Sequence, residues 1–186
     1  MYAPALTSNP QTHGVTLRLP YLEAEEPFRA MLAEVDKLGE HHHFGLFRAA
    51  LTSYEKYVEI LDVLRNRDDP QKRFSPIYSY LIYEHDQLAG EVRIRRRLPP
   101  ETAEIGGHIT MYVRPSLRRR GVGAAAFHEA LNRAQQSQLI TLLLAALSTN
   151  QPAVAIMQRA GGIPVRDIES PVGIFKRFRF FLQKPS

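Results

Sequence analysis

Val113-Arg114-Pro115-Ser116-Leu117-Arg118-Arg119-Arg120-Gly121-Val122-Gly123-Ala124 begins as the end of an apolar strand, passes through a basic turn and enters a helix. Its two glycines let the backbone curl and bring N–H groups close to a ligand, and the following helix points the positive end of its dipole at the same place. Such a turn is an anion cradle. Three adjacent arginines, Arg118, Arg119 and Arg120, predict a ligand carrying several phosphates.

Downstream, a helix starting near Gly123 places Ala124, Phe127, Leu131 and Ala134 on one stripe. The run from Leu139 to Leu147 is apolar on both faces, which predicts a central strand covered by helices on either side. Strand, helix and strand in this order form a crossover with a locally parallel pair. A helix over residues 152–160 follows, with Pro152 in its first turn and Gly161-Gly162 ending it, and residues 173–183 alternate as a last strand. Upstream, residues 77–83, 88–98 and 104–113 read as an antiparallel meander.

Residues 1–20 read as an irregular lead-in with a short strand at 15–19. From Pro27 the positions Phe28, Met31, Leu32, Val35 and Leu38 recur at helical spacing up to Gly39. A second helix opens on Thr52-Ser53-Tyr54-Glu55, a capping-box pattern, and carries Tyr54, Val58, Leu61 and Leu64. Together these elements predict one α/β domain over residues 1–186: a twisted, mostly antiparallel mixed sheet with one parallel pair and helices on both faces.

With 186 residues, 44% of them hydrophobic, the chain is long enough for one sizeable core. No apolar run approaches the roughly 18 residues that span a bilayer, and Met1-Tyr2-Ala3-Pro4-Ala5-Leu6 lacks the regions of a secretion signal. The absence of cysteine excludes disulfides, thiolate metal sites and cysteine nucleophiles, and agrees with a cytoplasmic setting. A net charge of +5 suits nucleic acid, an anionic membrane surface or a phosphorylated small molecule. The arginines cluster locally, at Arg93/Arg95/Arg96/Arg97 and at Arg118/Arg119/Arg120, rather than in a long tail, which favours a phosphate site over nucleic acid or membrane.

Gly121-Val122-Gly123-Ala124-Ala125-Ala126 also fits the dinucleotide pattern G-x-G-x-x-[G/A]. In that fold the strand runs almost directly into the first glycine, whereas Arg114 to Arg120 intervene here; nor does any Asp or Glu stand between Glu129 and Asp167 to hold a ribose. The lysine and hydroxyl pair of an NTPase phosphate loop is absent as well. A solvated basic turn, with glycines that only make room for helix packing, is the remaining structural alternative.

The longer order of strand, R-x-x-G-x-G, helix, apolar strand, Asn and short helix resembles the GNAT superfamily of acyl-CoA-dependent N-acyltransferases. Its phosphate-loop pattern [Q/R]-x-x-G-x-[G/A] matches Arg118-x-x-Gly121-x-Gly123, and its N-x-x-A pattern matches Asn150-x-x-Ala153. Gly106-Gly107-His108-Ile109, Arg114-Pro115-Ser116 and Gly161-Gly162 are similar to a subgroup of predicted bacterial acetyltransferases. The resemblance implies acetyl-CoA as cosubstrate, an acetyl-CoA-binding core over residues 74–183 and acceptor-flanking helices over 21–73. It implies that the N–H groups of Arg118, Arg119, Arg120, Gly121, Val122, Gly123 and Ala124 bind the pyrophosphate. Met111, Tyr112 and Val113 would present main chain to the pantetheine arm, with the Val113 N–H polarising the thioester carbonyl, and Asn150 and Ala153 would hold the arm from the neighbouring strand.

The implied reaction is transfer of an acetyl group to a primary amine of a small molecule or peptide. Amide formation from a thioester needs a neutral amine, an oxyanion donor, a base and an acid for the thiolate. The tyrosine that serves as acid in many members of the family, seven residues after the Asn, is Met157 here, which leaves Tyr112 as the hydroxyl at hand. For the base, pairing Arg97 with Glu104 sets Arg93 opposite His108 and makes Glu91 and His108 diagonal neighbours on one strand face, with Ile105, Ile109, Met111 and Val113 facing the core. The same pattern also describes an ordinary wet strand face.

His41-His42-His43 has no partner at metal spacing, so no metal site is expected. Arg93, Arg95 and Arg97 read either as an exposed strand face or as a means of recruiting an acidic acceptor. Two other function classes stand beside the enzyme: a module that holds acyl-CoA without turnover, and a small basic nucleic-acid-binding domain. The sequence allows a homodimer.

Overall fold

The computed structural model describes residues 14–40, 47–67, 75–98 and 105–182. Seven strands form two sheets. The first has the order β1 (Val15–Arg18), β2 (Ile77–Glu84), β3 (Gln87–Arg95) and β4 (Ile109–Val113). The second has the order β5 (Thr141–Leu147), β7 (Gly173–Phe181) and β6 (Ile163–Ser170), and every ladder is antiparallel. The fold is a mixed α/β arrangement with helices on both faces of the first sheet, as the sequence predicts, but the strands lie in two sheets and the expected parallel pair forms no ladder.

On one face, α1 (Glu25–Lys37) buries Phe28, Met31, Leu32 and Val35 beside Tyr54, Tyr57 and Leu61 of α3 (Tyr54–Asn66). The Phe28 ring lies 5.2 Å from Tyr54 and 5.0 Å from Tyr57, and this group covers Leu81, Tyr83, Leu88 and Tyr112. Gly39 ends α1 at φ +65, a value that suits glycine, and a short helix α2 (Phe47–Thr52) precedes α3. The N-cap of α3 is Ser53, which accepts from the Lys56 N–H, so the cap lies one residue later than Thr52 and Glu55 does not close a capping box.

On the other face, α4 (Val122–Gln136) and α5 (Gln151–Arg159) pack on Val92, Ile94, Ile109, Leu142, Leu144, Phe178 and Phe180. The α4 stripe is Val122, Ala126, Phe127, Ala130, Leu131 and Ala134; Ala124 is exposed. Met157 of α5 is buried in this core.

Three expectations are corrected. Strand β4 starts at Ile109, and Ile105 is exposed rather than facing the core. Arg93 pairs with Thr110 and Ile94 with Ile109, two residues away from the register that set Arg93 opposite His108; a two-residue shift keeps the side chains within β4 on their predicted faces. The Arg97–Glu104 pairing lies outside the described residues at Glu104. Strand β5 is the edge of its sheet, with Leu142 and Leu144 buried and Leu143, Ala145 and Leu147 half-buried; β6, with no fully buried position, has a weak apolar pattern and was not foreseen. Among the described residues no helix is long and apolar enough to cross a membrane.

Candidate active site

Strands β4 and β5 run side by side without forming a ladder. They meet at one point. The His108 N–H donates to the Leu143 carbonyl at 2.9 Å, and the Leu143 N–H donates to His108 Nδ1 at 3.0 Å. Gly107 lets the chains come this close, since a Cβ there would lie 3.0 Å from Leu144 Cα and 3.1 Å from the Leu143 oxygen. Beyond this contact no main-chain hydrogen bond joins the two strands among the described residues, which leaves main-chain groups that no sheet partner claims.

Strand parity tells which groups these are. The His108 carbonyl accepts from the Arg95 N–H and the Arg114 N–H donates to Ala89, each at 2.7 Å, so the even positions of β4 turn their main chain toward β3. Met111 and Val113 therefore direct theirs into the gap, and the main chain of Tyr112, expected to serve the same arm, is directed to β3. On β5, Leu143 faces the gap, so Ala145 and Leu147 do as well.

The cradle lies at the open end of the gap. A 3₁₀ turn at Pro115–Leu117 leads into Arg119 and Gly121, both with positive φ (+64 and +86). Among the described residues, the N–H groups of Arg119 to Ala124 have no partner; the first helical bond runs from Ala125 to the Gly121 carbonyl at 3.0 Å. Six free N–H groups at the start of a four-turn helix suit an anion. At Gly123 a Cβ would come within 3.4 Å of Ile156 and 3.6 Å of Val113, so this glycine permits α4 to sit close to β4 and α5.

Arg118 is not part of that anion site. Its N–H donates to Pro115 at 3.2 Å and its Nε to the Val113 carbonyl at 3.0 Å, while Nη1 and Nη2 hold both oxygens of Glu40 at 3.1 and 2.5 Å. Its guanidinium lies over the Tyr112 ring, whose hydroxyl also donates to Glu40, at 2.7 Å. Arg118 therefore braces the loop. That leaves Arg119, exposed, and Arg120, also exposed but with its Nη2 3.4 Å from Glu84 Oε2, as the cationic side chains of the cradle. Arg114 is likewise structural: with the Ser116 N–H it binds Glu34 of α1, and although burial works against it, these donors hold the Glu34 carboxyl below its usual range.

Asn150 caps α5, its Oδ1 accepting from the Ala153 N–H at 3.2 Å. The N-x-x-A spacing is thus the spacing of a helix cap, and the side-chain NH₂ is the group Asn150 can offer a ligand.

The candidate acid and bases do not assemble as expected. Glu91 is fully buried, accepting from the Tyr57 hydroxyl at 2.5 Å and from Arg93 Nε at 2.6 Å. It stands opposite Tyr112, four positions along β3 from the residue opposite His108, about 13 Å away. Glu91 therefore does not orient the imidazole. His108 Nδ1 lies 3.0 Å from the Leu143 nitrogen and 3.2 Å from the Leu143 oxygen; the first contact uses a lone pair on Nδ1 and the second a hydrogen there. Burial, reinforced by Arg95, lowers the His108 pKa, which keeps the ring neutral. Tyr112 is buried on the α1 side, and burial together with Glu40 pushes its pKa up.

Sequence reasoning missed Glu34, Glu40 and Tyr57, and it named Gly107 only as part of a family resemblance, not for the close approach it permits. Glu40 directly follows the helix-ending Gly39, but an acidic residue there gives no sign that it meets a loop 78 positions on. The run His41-His42-His43 lies outside the described residues, and among the described ones no cluster is arranged to hold a metal.

Residues 40–162 match the family model described as Acetyltransferase (GNAT) family. Among solved structures, the chain is similar to RimL, a ribosomal L7/L12 alpha-N-protein acetyltransferase in complex with coenzyme A, at 12% identity and TM-score 0.65 over 97% of each chain. It is similar to the microcin C7 self-immunity acetyltransferase MccE in complex with acetyl-CoA and AMP, at 12% identity and TM-score 0.65 over 91% of this chain and 93% of that one. A third is Mycobacterium smegmatis RimJ in complex with CoA-disulfide, at 15% identity and TM-score 0.66 over 90% and 81%. At these identities the likeness is one of fold. No curated protein sequence matches the chain.

Proposed function

The chain belongs to the acetyltransferase (GNAT) family, and from that membership we propose that it transfers the acetyl group of acetyl-CoA to a primary amine by direct attack. The observation that carries this reading is the parting of β4 and β5 beyond His108 and Leu143, beside an unsatisfied helix N-terminus. The residues fit the cosubstrate: the N–H groups of Arg119 to Ala124, with the Arg119 and Arg120 side chains, would hold the pyrophosphate. Met111, Val113 and Ala145 would bond the amide groups of the pantetheine arm as an added strand would, with the Asn150 NH₂ beside them.

The Val113 N–H is the donor for the oxyanion that forms when the amine attacks the thioester carbonyl. Attack makes the new C–N bond, and collapse of the tetrahedral species breaks the C–S bond. The amine gives up a proton to water, and the thiolate takes one from a hydroxyl that water reprotonates. Tyr112 keeps its proton at neutral pH and is the hydroxyl we assign to the thiolate. His108, held against Leu143, shapes the apex and takes no proton. Holding two reactants in line supplies much of the rate, since effective molarities reach roughly 10⁵ M or more, so a strong side-chain base is not required.

Calorimetric titration with acetyl-CoA, followed by a free-thiol release assay across polyamines, amino acids, aminoglycosides and peptides, tests the proposal. Saturable binding and amine-dependent thiol release are expected. Binding without release from any amine would leave a non-catalytic acyl-CoA-binding module, and absence of binding would remove the reading.

A further inference from the structure

Two carboxylates, one in α1 and one just past its end, grip the segment between β4 and α4, and they hold different things. Glu34 accepts from Arg114 Nε, the Ser116 N–H and the Ser116 hydroxyl, at 2.7, 3.0 and 3.1 Å, which ties the start of the loop to the helix. Glu40 reaches the strand as well. Its backbone is set by the turn that ends α1, where the Gly39 N–H donates to the Asp36 carbonyl at 3.0 Å and the Glu40 N–H to the Val35 carbonyl at 3.1 Å. From there Glu40 Oε2 accepts from both the Tyr112 hydroxyl, at 2.7 Å, and Arg118 Nη2, at 2.5 Å.

Both of these partners lead to the reacting groups. Tyr112 is the hydroxyl assigned to the thiolate. Arg118 Nε donates to the Val113 carbonyl at 3.0 Å, and the N–H of that same residue is the one assigned to the oxyanion. The two main-chain groups of a strand residue turn to the same side, so at Val113 the carbonyl is already bonded while the N–H is left for a ligand. A loop brace alone has no need of these bonds, because Glu34 already supplies one.

The charges suit a proton donor. When the C–S bond breaks, the O–H bond of Tyr112 breaks and an S–H bond forms, until water returns a proton to the tyrosinate. A carboxylate beside a tyrosinate is unfavourable by itself, but Glu40 is matched through both oxygens by Arg118, whose guanidinium lies 5.1 Å from the centre of the Tyr112 ring. Burial and the Glu40 bond raise the Tyr112 pKa, and Arg118 lowers it. Side chains that already fix one another lose little further freedom when they fix a third. We infer that Glu40 is a positioning residue for acetyl transfer, holding the Tyr112 hydroxyl directly and the Val113 peptide by way of Arg118. This inference rests on the acetyl-transfer reading above and extends it to a residue outside the sheet.

The test is a double-mutant cycle on the full chain, with E40Q, Y112F and both together, and with E34Q, alone and with Y112F, as the loop-brace comparison. Glutamine keeps the volume of Glu40 and one acceptor oxygen, and turns an N–H donor toward Arg118 or Tyr112. Thiol release from acetyl-CoA is followed with spermidine, lysine, kanamycin and the peptide Ser-Ala-Gly, and kcat is compared on the amine that releases most thiol. Acetyl-CoA binding is titrated on the same preparations. E40Q is expected to lower kcat by about tenfold or more with acetyl-CoA affinity within about threefold, and to lower it by less than about threefold once Tyr112 is Phe. E34Q should change kcat by the same factor with and without the Tyr112 hydroxyl.

Absence of acetyl-CoA binding by the unmodified chain, or of thiol release with every amine, overturns the acetyl-transfer reading and this inference with it. Where the unmodified chain turns over, an unchanged kcat in E40Q, an equal fall in both backgrounds, or a loss confined to acetyl-CoA affinity overturns this inference alone. If E40Q does not bind acetyl-CoA, E40D, which keeps the charge, takes its place in the cycle; loss of binding in both variants makes Glu40 a structural brace and overturns the inference.

Discussion

The Leu143 N–H lies 3.0 Å from His108 Nδ1 while the Leu143 carbonyl receives the His108 N–H, so one residue just before β4 engages both main-chain groups of one residue of β5. The two strands form no ladder, and this contact is the hydrogen-bonded link between them among the described residues.

His108→Ala leaves the Leu143 amide without its acceptor and is expected to cost about 1–3 kcal/mol in chemical denaturation. His108→Asn, whose Oδ1 can replace Nδ1, should recover most of that stability and retain acetyl transfer. A base role would predict that the Asn variant is as inactive as the Ala variant.

Because burial lowers the folded-state pKa of His108, the unfolded chain binds the proton first. The contribution of this residue is therefore complete above about pH 6.5, the unfolded value, and is lost as pH falls below it toward the folded pKa. Denaturation midpoints at about pH 7.5 and about pH 5.5 should differ more in the unmodified chain than in His108→Asn.

Gly121→Ala forces a β-carbon onto a residue at φ +86, a strain of about 1–2 kcal/mol in the cradle itself. Acetyl-CoA affinity, read by calorimetry, should fall about tenfold or more. Gly123→Ala, which meets only ordinary van der Waals contacts, should change it little.

Tyr112→Phe removes the hydroxyl assigned to the thiolate and should lower kcat by about 10²-fold, the scale of a lost acid, with acetyl-CoA affinity within about twofold. An unchanged kcat in a thiol-release assay would mean that the thiolate leaves unaided.

Glu91→Ala strands Arg93 in the core beneath α3 and is expected to cost about 3–5 kcal/mol. Tyr57→Phe, which removes one hydroxyl from the same carboxylate, should cost about 1 kcal/mol. Thermal unfolding of the two variants checks the order.

The strand faces, the order of elements and the cradle were legible in the sequence because alternation, helical spacing and glycine placement are local signals. The β3–β4 register was not, because its turn spans residues whose spacing permits more than one even offset, and Arg97 with Glu104 supported the wrong one. The role of Arg118 was hidden for a different reason. In sequence it belongs to an arginine run, and only the fold brings Glu40 and Tyr112 to it. His108 had the right face and the wrong partner: its distance from Leu143, 35 positions, is set by a crossover that no local pattern measures.

The central claim is that the parted strands take the arm of acetyl-CoA, and amide chemical shifts report it most directly. On saturation with acetyl-CoA, the N–H resonances of Met111, Val113 and Ala145 should move and gain protection from exchange, together with those of Arg119 to Ala124, while Thr110 and Tyr112, already bonded to β3, should move little. Saturable acetyl-CoA binding that leaves Met111 and Val113 unperturbed would contradict the account.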